Sequence, residues 1–400
     1  MRVRTGLESF LDPAGGALGL ARGARLGVVA HPASIDAGGR HIVDRLVREG
    51  RFRVARLFAP EHGVRGEAQD MEAVAEPADR TTGLPVVSLY GTSEESLRPE
   101  SRHLEDLDAI VYDLQDVGTR YYTFVTTLSY LMEAAQEAAV PVVVLDRPNP
   151  IGGRAVEGPV LDPAYASFVG RFPIPVRHGM TTGELALLFR DAFGVACDLR
   201  IAKMAGWTRR AHFEDTGLPW VLPSPNMPTP DTARVYPGGC LVEGTNLSEG
   251  RGTTRPFELV GAPWIEPAAF AETLGQAGDA EGLDGVLFRA AWLRPAFQKH
   301  AGRSCGGVQV HLLDRERARP FATYLVLLRE ARRLAPEMFD WRRETYEFVS
   351  DRLAIDLLLG RGDLRAMIEA GAPLGDMESA WAHELAAFDA LRSRFLLYPD

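Results

Sequence analysis

Four times in its first half this 400-residue chain runs an apolar, strand-like segment straight into a tight cluster of polar and ionisable residues. "VARLFAPEHG" ends on Glu61 and His62, and "AIVYDLQDVGTR" on Asp113, Gln115, Asp116 and Arg120. "VPVVVLDRPNP" delivers Asp146, Arg147 and Asn149, and "PIPVRHG" delivers Arg177 and His178. Strands separated by helical segments normally lie parallel, so their C-terminal ends share one sheet edge, where open α/β proteins bind ligands. The four clusters are therefore expected to face one crevice. Carboxylates, imidazoles and guanidinium groups around a crevice suit chemistry on a polar small molecule or a polymer end.

The rest of the first half supports that frame. "RLGVVAHPASI" reads as a first strand, and Ile42, Val43, Leu46 and Val47 form the stripe of a short helix that Gly50 ends. Further strands are expected near 54–59, 85–89, 108–113, 141–145 and 198–203, and a helix carries Phe124, Leu128, Leu131, Ala135 and Ala138 on one face. Thr181 and Glu184 have capping-box spacing ahead of Leu185, Leu188 and Phe189, with Gly194 placed to close that helix. This alternation predicts an α/β fold with a Rossmann-like, mostly parallel sheet. From about 205 to 264 the text is rich in Pro and Gly, which predicts loops reaching over the crevice rather than long elements. An alternating strand "GGVQVHLLD", a helix around 320–334 and a terminal helix with Trp381, Leu385, Phe388 and Phe395 on one face follow. They predict a smaller α+β C-terminal domain, with the division at 1–255 and 256–400.

Composition narrows the function. A formal charge of -10 spread along the chain argues against general affinity for nucleic acid. Lys203 and Lys299 are the only lysines, so abundant arginine is not by itself a binding signature. Cys197, Cys240 and Cys305 are far apart and outside any zinc-type spacing, as expected of buried thiols. The segment "MRVRTGLESFLD" has no apolar stretch of signal-peptide length and no run is long enough to cross a bilayer, so a cytoplasmic protein without membrane insertion is expected, or a secreted or periplasmic one if a leader has been removed. Gly-Lys-Ser/Thr, a strand-linked Gly-x-Gly-x-x-Gly and Gly-x-Ser-x-Gly are all absent, and no cofactor is expected.

Each polar cluster has a functional and a structural reading. Glu61 and His62 follow Phe58 and Pro60 and precede Gly63 and Gly66, so the backbone can turn sharply beneath them. A carboxylic acid desolvated by apolar neighbours suits general-acid work, and a turn-stabilising Glu with a bonded His is the alternative. Asp113 and Gln115 share one side of an extended chain, with Asp116 at its end and Arg120, Tyr121 and Tyr122 beyond the Gly118 turn. Carboxylate, amide and phenol side by side match the hydroxyls and amides of a carbohydrate; the alternative is a helix-start cluster with Asp113 buried against Arg120. Asn149 stands on a proline-stiffened turn that serves either recognition or structure. His178 reads as a ligand or proton carrier, or as a satisfied core histidine. "EGTNLSEGRGTTRPFE" offers backbone N–H groups with Arg251 or Arg255 for an anion.

Taken in order, "LFAPEHGVRG", "YDLQDVGTRYYT", "DRPNPIGG", "EGP" at 157–159, "RHGMTTGELA", "PSPNMPT", "EGTNLSEGRGTTRPFE" and "CGGVQVHLLDR" resemble the peptidoglycan exo-β-N-acetylmuramidase family. The resemblance runs from about residue 25 to the C-terminus. It implies a Rossmann-like domain and a smaller C-terminal domain with the site between them. It also implies release of β-linked N-acetylmuramic acid from the non-reducing end of cell-wall fragments. The family's catalytic glutamate in "EHG" falls on Glu61.

On that resemblance Glu61 protonates the departing glycosidic oxygen, while Asp116, or else Asp113, orients water or the 2-acetamido group or stabilises positive charge at the sugar carbon. His62 and His178 tune Glu61 or bond sugar hydroxyls. Arg120, Arg251 or Arg255 grips the lactyl carboxylate that distinguishes muramic acid from glucosamine. Gln115, Tyr121, Asn149, Asn226 of "PSPNMPT" and Glu249 complete the expected substrate-binding set, and the partner is a small saccharide or glycan end. Two competing readings use the same residues. A metal-dependent hydrolase would draw on His62, Asp113, Asp116, Asp146 and His178, and a non-catalytic muropeptide-binding protein would use the same cleft.

Overall fold

The computed structural model describes residues 2–13, 17–66 and 77–400. Among the described residues eleven strands form three sheets: β1 (Arg25–Ala30), β2 (Arg53–Ala59), β3 (Val86–Ser88), β4 (Ala109–Asp113), β5 (Val142–Leu145), β6 (Glu157–Val160), β7 (Pro175–Arg177), β8 (Leu199–Ala202), β9 (Leu259–Ala262), β10 (Val286–Leu293) and β11 (Cys305–Leu312). The largest sheet has the order β3-β2-β1-β4-β5-β8, and every pairing in it is parallel. Counted along the chain, its strands stand 3-2-1-4-5-6, the order of a dinucleotide-binding Rossmann sheet. The six apolar runs that suggested strands supply these six strands. Those at the centre, β4 above all, are buried along their length, as a sheet covered on both faces requires.

Helices α1 (Gly6–Phe10), α2 (Ile42–Glu49), α3 (Phe124–Glu137) and α4 (Thr182–Ala192) accompany this sheet. Gly50 closes α2 at φ +61°, and Thr181 and Glu184 form the expected capping box at α4. The fourth polar cluster departs from expectation. Its strand, β7, does not join the parallel sheet but pairs antiparallel with β6, and an isolated bridge joins Arg177 to Thr119, with His178 buried beside Asp116.

The Pro- and Gly-rich stretch also holds more regular structure than its composition suggests. Helix α5 (Pro230–Gly239) starts on Pro230, where a missing N–H costs nothing, and carries Pro237 in its final turn. It packs on α7 (Pro320–Leu334), and the turn at Cys240–Gly244 packs on α8 (Ala354–Leu359), so residues 230–244 lie with the C-terminal elements. The remaining sheet, β10-β11-β9, is antiparallel, with α6 (Pro267–Ala280) against it. One hydrophobic cluster joins both halves, running from Phe58, Tyr112 and Leu128 through Tyr236 and Phe257 to Leu325 and Leu358.

Asp146, just past β5, ties this framework together. Its carboxyl accepts from Gly183 N–H (2.8 Å), Thr181 Oγ1 (2.8 Å) and Tyr398 OH (2.6 Å) in full burial. Burial pushes it up to about 6. A carboxyl whose folded value lies above its unfolded one stabilises the fold at low pH, and that contribution fades as pH rises from about 4 through about 6. In urea titrations between pH 4.5 and 7.5, Asp146→Asn should therefore flatten a wild-type decline of up to about 3 kcal/mol. A parallel decline in both proteins would remove Asp146 as its source.

Candidate active site

β2 ends at Ala59, and the chain turns at once. Gly63 N–H donates to Pro60 C=O at 2.9 Å, with His62 at φ +72° and Gly63 at φ +85°. His62 thus occupies a backbone conformation that favours glycine, and the turn leaves Glu61 at the sheet's C-terminal edge. Glu61 is buried, and its Oε2 accepts from Thr123 Oγ1 at 2.7 Å. Thr123 is the N-cap residue of α3 but makes no side-chain capping bond there; its hydroxyl holds Glu61 instead.

Glu61 and His62 line a pocket whose other walls come from distant segments. Tyr122 lies edge-on to Phe124 (4.9 Å) and Tyr236 (5.7 Å), and Tyr236 lies edge-on to Tyr121 (5.7 Å) and Phe257 (4.8 Å). Tyr121 OH donates to Pro237 C=O, which fixes the phenol against α5. The loop before α5 adds Ser224, Asn226 and Met227, and the C-terminal half adds Glu243, Arg251, Tyr346 and Glu347. Aromatic faces interleaved with carboxylates and a guanidinium match a sugar that carries both C–H surfaces and polar groups.

Arg251 anchors the far wall. It pairs with Glu243 (2.8 Å) and Glu249 (3.2 Å) and lies 4.9 Å above the Phe257 ring. Glu243 also accepts from Tyr346 OH at 2.7 Å, and Glu249 pairs with Lys299 at 3.0 Å. Burial alone would push Glu249 up, but Lys299 and then Arg251 outweigh it and hold the carboxyl at about 2. Two carboxylates and two cations thus balance, Glu243 and Arg251 in the pocket wall and Glu249 and Lys299 behind it. Glu249 stands one layer behind Arg251 rather than in the pocket lining.

Several residues expected at the site belong to its framework. Asp113 is held bidentately by Arg147 (2.6 and 2.8 Å), not by Arg120, and all its surroundings are buried. Gln115 donates its amide to Asp116 C=O and Pro148 C=O, each at 2.8 Å. Asn149 donates to Met180 C=O (3.0 Å) and accepts from Ile151 N–H (3.1 Å). The Arg120 guanidinium reaches four carbonyls, those of Pro159 (2.8 Å), Ile174 (2.9 Å), Leu358 (2.8 Å) and Leu359 (3.2 Å), which leaves it no face for a substrate carboxylate. Arg255 is half-exposed beside Glu258 in a separate crevice with Asp231, Arg234 and His311.

Asp116 and His178 form a buried pair and do not line the pocket. Met180 N–H donates to His178 Nδ1 at 3.2 Å, so the neutral ring carries its proton on Nε2, which lies 3.5 Å from Asp116 Oδ2. Asp116 Oδ2 also accepts from Gly118 N–H at 2.6 Å. The five residues of the metal reading do not converge. Asp113 and Asp146 are engaged as described, and among the described residues no group of three or more His, Cys, Asp or Glu side chains is placed to hold a metal ion. The switch point between β1 and β4 is also filled: Gln115 N–H donates to His31 Nε2 (2.8 Å), and His31 Nδ1 bonds Pro223 C=O (3.1 Å). A dinucleotide would need that space.

Thr123, Ser224, Tyr236, Glu243, Tyr346 and Glu347 line the pocket without having stood out in the sequence. Glu243 opens a glycine-rich run whose expected contributions are its backbone N–H groups, Glu249, Arg251 and Arg255. Glu347, in "RRETYEFVS", reads as part of a solvated charged segment.

Comparison with known proteins agrees with this architecture. The N-terminal profile of exo-beta-N-acetylmuramidase NamZ matches residues 26–231 and its C-terminal profile residues 234–398. The chain is 44% identical over 397 residues to the peptidoglycan beta-N-acetylmuramidase NamZ of Bacillus subtilis (strain 168), covering 99% of this chain and 92% of that one. Two solved DUF1343 family structures from Bacteroides fragilis NCTC 9343 superpose on it. One has a TM-score of 0.86 at 33% identity over 99% of both chains, and the other 0.75 at 28% identity over 100% of both. With both profiles matched in order across almost the whole length, the chain belongs to the exo-β-N-acetylmuramidase NamZ family.

Proposed function

We propose that this protein is an exo-acting glycosidase that removes β-linked N-acetylmuramic acid from the non-reducing end of peptidoglycan fragments or muropeptide disaccharides. The observation that carries the reading is Glu61, buried on the "EHG" turn and aimed by Thr123 into a pocket with an aromatic wall and Arg251. In this reading the Glu61 carboxyl gives its proton to the glycosidic oxygen, which leaves with the electron pair of its bond to the anomeric carbon. His62 and Asn226 contribute hydrogen bonds to sugar hydroxyls from the pocket lining. Asp116 and His178 stand outside the lining as a buried pair.

The direct test is incubation with synthetic MurNAc-GlcNAc and GlcNAc-MurNAc disaccharides. Cleavage of the first and not the second is the expected result. Cleavage of the second would reassign the enzyme as a glucosaminidase, and binding without product over long incubation would make it a sugar-binding protein.

Of the three arginines considered for the lactyl carboxylate, only Arg251 lines the pocket. A guanidinium holds a carboxylate through two N–H donors in a way that an ammonium cannot reproduce. Arg251→Lys should therefore lower kcat/KM on a chromogenic muramide by about 10–100-fold, and on the matched glucosaminide by far less. Equal losses on both substrates would detach Arg251 from lactyl recognition.

A further inference from the structure

Most glycosidases pair their proton donor with a second carboxylate near the anomeric carbon. Among the described residues, the pocket lining offers three carboxylates: Glu61, Glu243 and Glu347. Glu243 is engaged by Arg251 and Tyr346, and Asp116 stands outside the lining. Glu347 is the third, and its backbone is unusual. Tyr346 and Val349 exchange reciprocal N–H to C=O bonds of 2.9 Å each, closing a two-residue turn with Glu347 at φ +45° and Phe348 at φ +69°. Turns with two left-handed central residues favour Asn-Gly or Gly-Gly, and a Glu-Phe pair there costs backbone energy that surrounding structure must offset.

The surroundings that hold it belong to the first half of the chain. Phe348 packs edge-on against Tyr90 (5.8 Å) and Phe168 (6.4 Å), and Tyr90 OH donates to Glu347 Oε2 at 3.1 Å. A turn from the C-terminal half is thus pinned into an aromatic socket of the other half, with its carboxylate in the pocket that Glu61 enters.

Resting on the muramidase reading of this pocket, we infer that Glu347 is the second carboxylate of the reaction, facing the positive charge that develops at the anomeric carbon. When Glu61 protonates the glycosidic oxygen, that oxygen departs with the bonding pair as a hydroxyl of the remaining glycan. Water then adds its hydroxyl at the anomeric carbon, and its remaining proton, delivered directly or through solvent, restores the Glu61 carboxyl. Glu347 neither gives nor takes a proton in these steps and acts by facing the developing charge.

The test compares wild type, Glu61→Gln, Glu347→Gln and Glu347→Gly on MurNAc-GlcNAc. Glycine suits φ +45°, so Glu347→Gly removes the carboxylate while easing the backbone. Both Glu347 variants should lose about 10²–10³-fold in kcat with KM within about threefold of wild type, and keep Tm within about 5 °C. A kcat within about tenfold of wild type in either variant, or a Tm fall beyond about 5 °C in both, would remove Glu347 from catalysis. Those outcomes leave the muramidase reading standing provided wild type cleaves and Glu61→Gln does not; a wild type that cleaves neither disaccharide fails the muramidase reading itself.

Discussion

Glu61→Gln is expected to fold like wild type and to hydrolyse MurNAc-GlcNAc about 10²–10⁴-fold more slowly, the usual contribution of a general acid. The amide keeps the size of the acid and retains an oxygen for the Thr123 hydroxyl, so the turn and the start of α3 lose no contact. What disappears is the transferable proton. The loss should fall on kcat, and it should shrink on substrates whose leaving group departs as a stable anion without protonation. Matched Tm values with a collapsed rate would place the defect in chemistry. Near-normal rates would remove Glu61 from the mechanism and with it the proposed direction of proton transfer.

The second large effect is structural. Arg120→Met should destabilise the protein by about 4 kcal/mol or more, because four buried carbonyls lose their donor and each orphaned polar group costs about 1–3 kcal/mol. Part of that loss is offset, since burial already pushes the guanidinium down to about 10 and the variant no longer desolvates a charge. Those carbonyls belong to β6, to the segment before β7 and to α8, so Arg120 joins the two halves of the chain. Urea denaturation of wild type and variant measures the difference. Unchanged stability with weakened substrate binding would instead return Arg120 to the lactyl-binding role that its sequence context suggested.

These two residues show what can be read from one-dimensional pattern. Glu61 was legible because an apolar strand, a proline and two glycines bracket it, and local geometry alone decides that such a residue stands at a sheet edge. The parallel sheet was legible for the same reason: alternation of apolar runs with 3.6-periodic helices leaves few other arrangements. Arg120 was not, because its four acceptors are backbone carbonyls up to 239 positions away, and carbonyls leave no signature in residue type. Asp113 misled similarly, its partner being Arg147 across the sheet rather than the nearer Arg120. The walls contributed by Glu243, Tyr346 and Glu347 depend on tertiary packing of the second half onto the first. The helix at 230–239 was masked by Pro237 and the glycines after it, which a helix's last turn tolerates when its neighbours cover it.

Residues 392–399 run back into the first half. Arg392 donates to the carbonyls of Gly153 and Gly179, Leu397 N–H reaches Glu184, and Tyr398 OH bridges Asp146 and the N–H of Met204. During synthesis on the ribosome, the nascent segment around Asp146 gains Thr181 and Gly183 early but must wait for its last partner, Tyr398, until some 250 later residues have emerged. Chaperone demand should consequently be concentrated at the close of translation rather than at the completion of the parallel sheet.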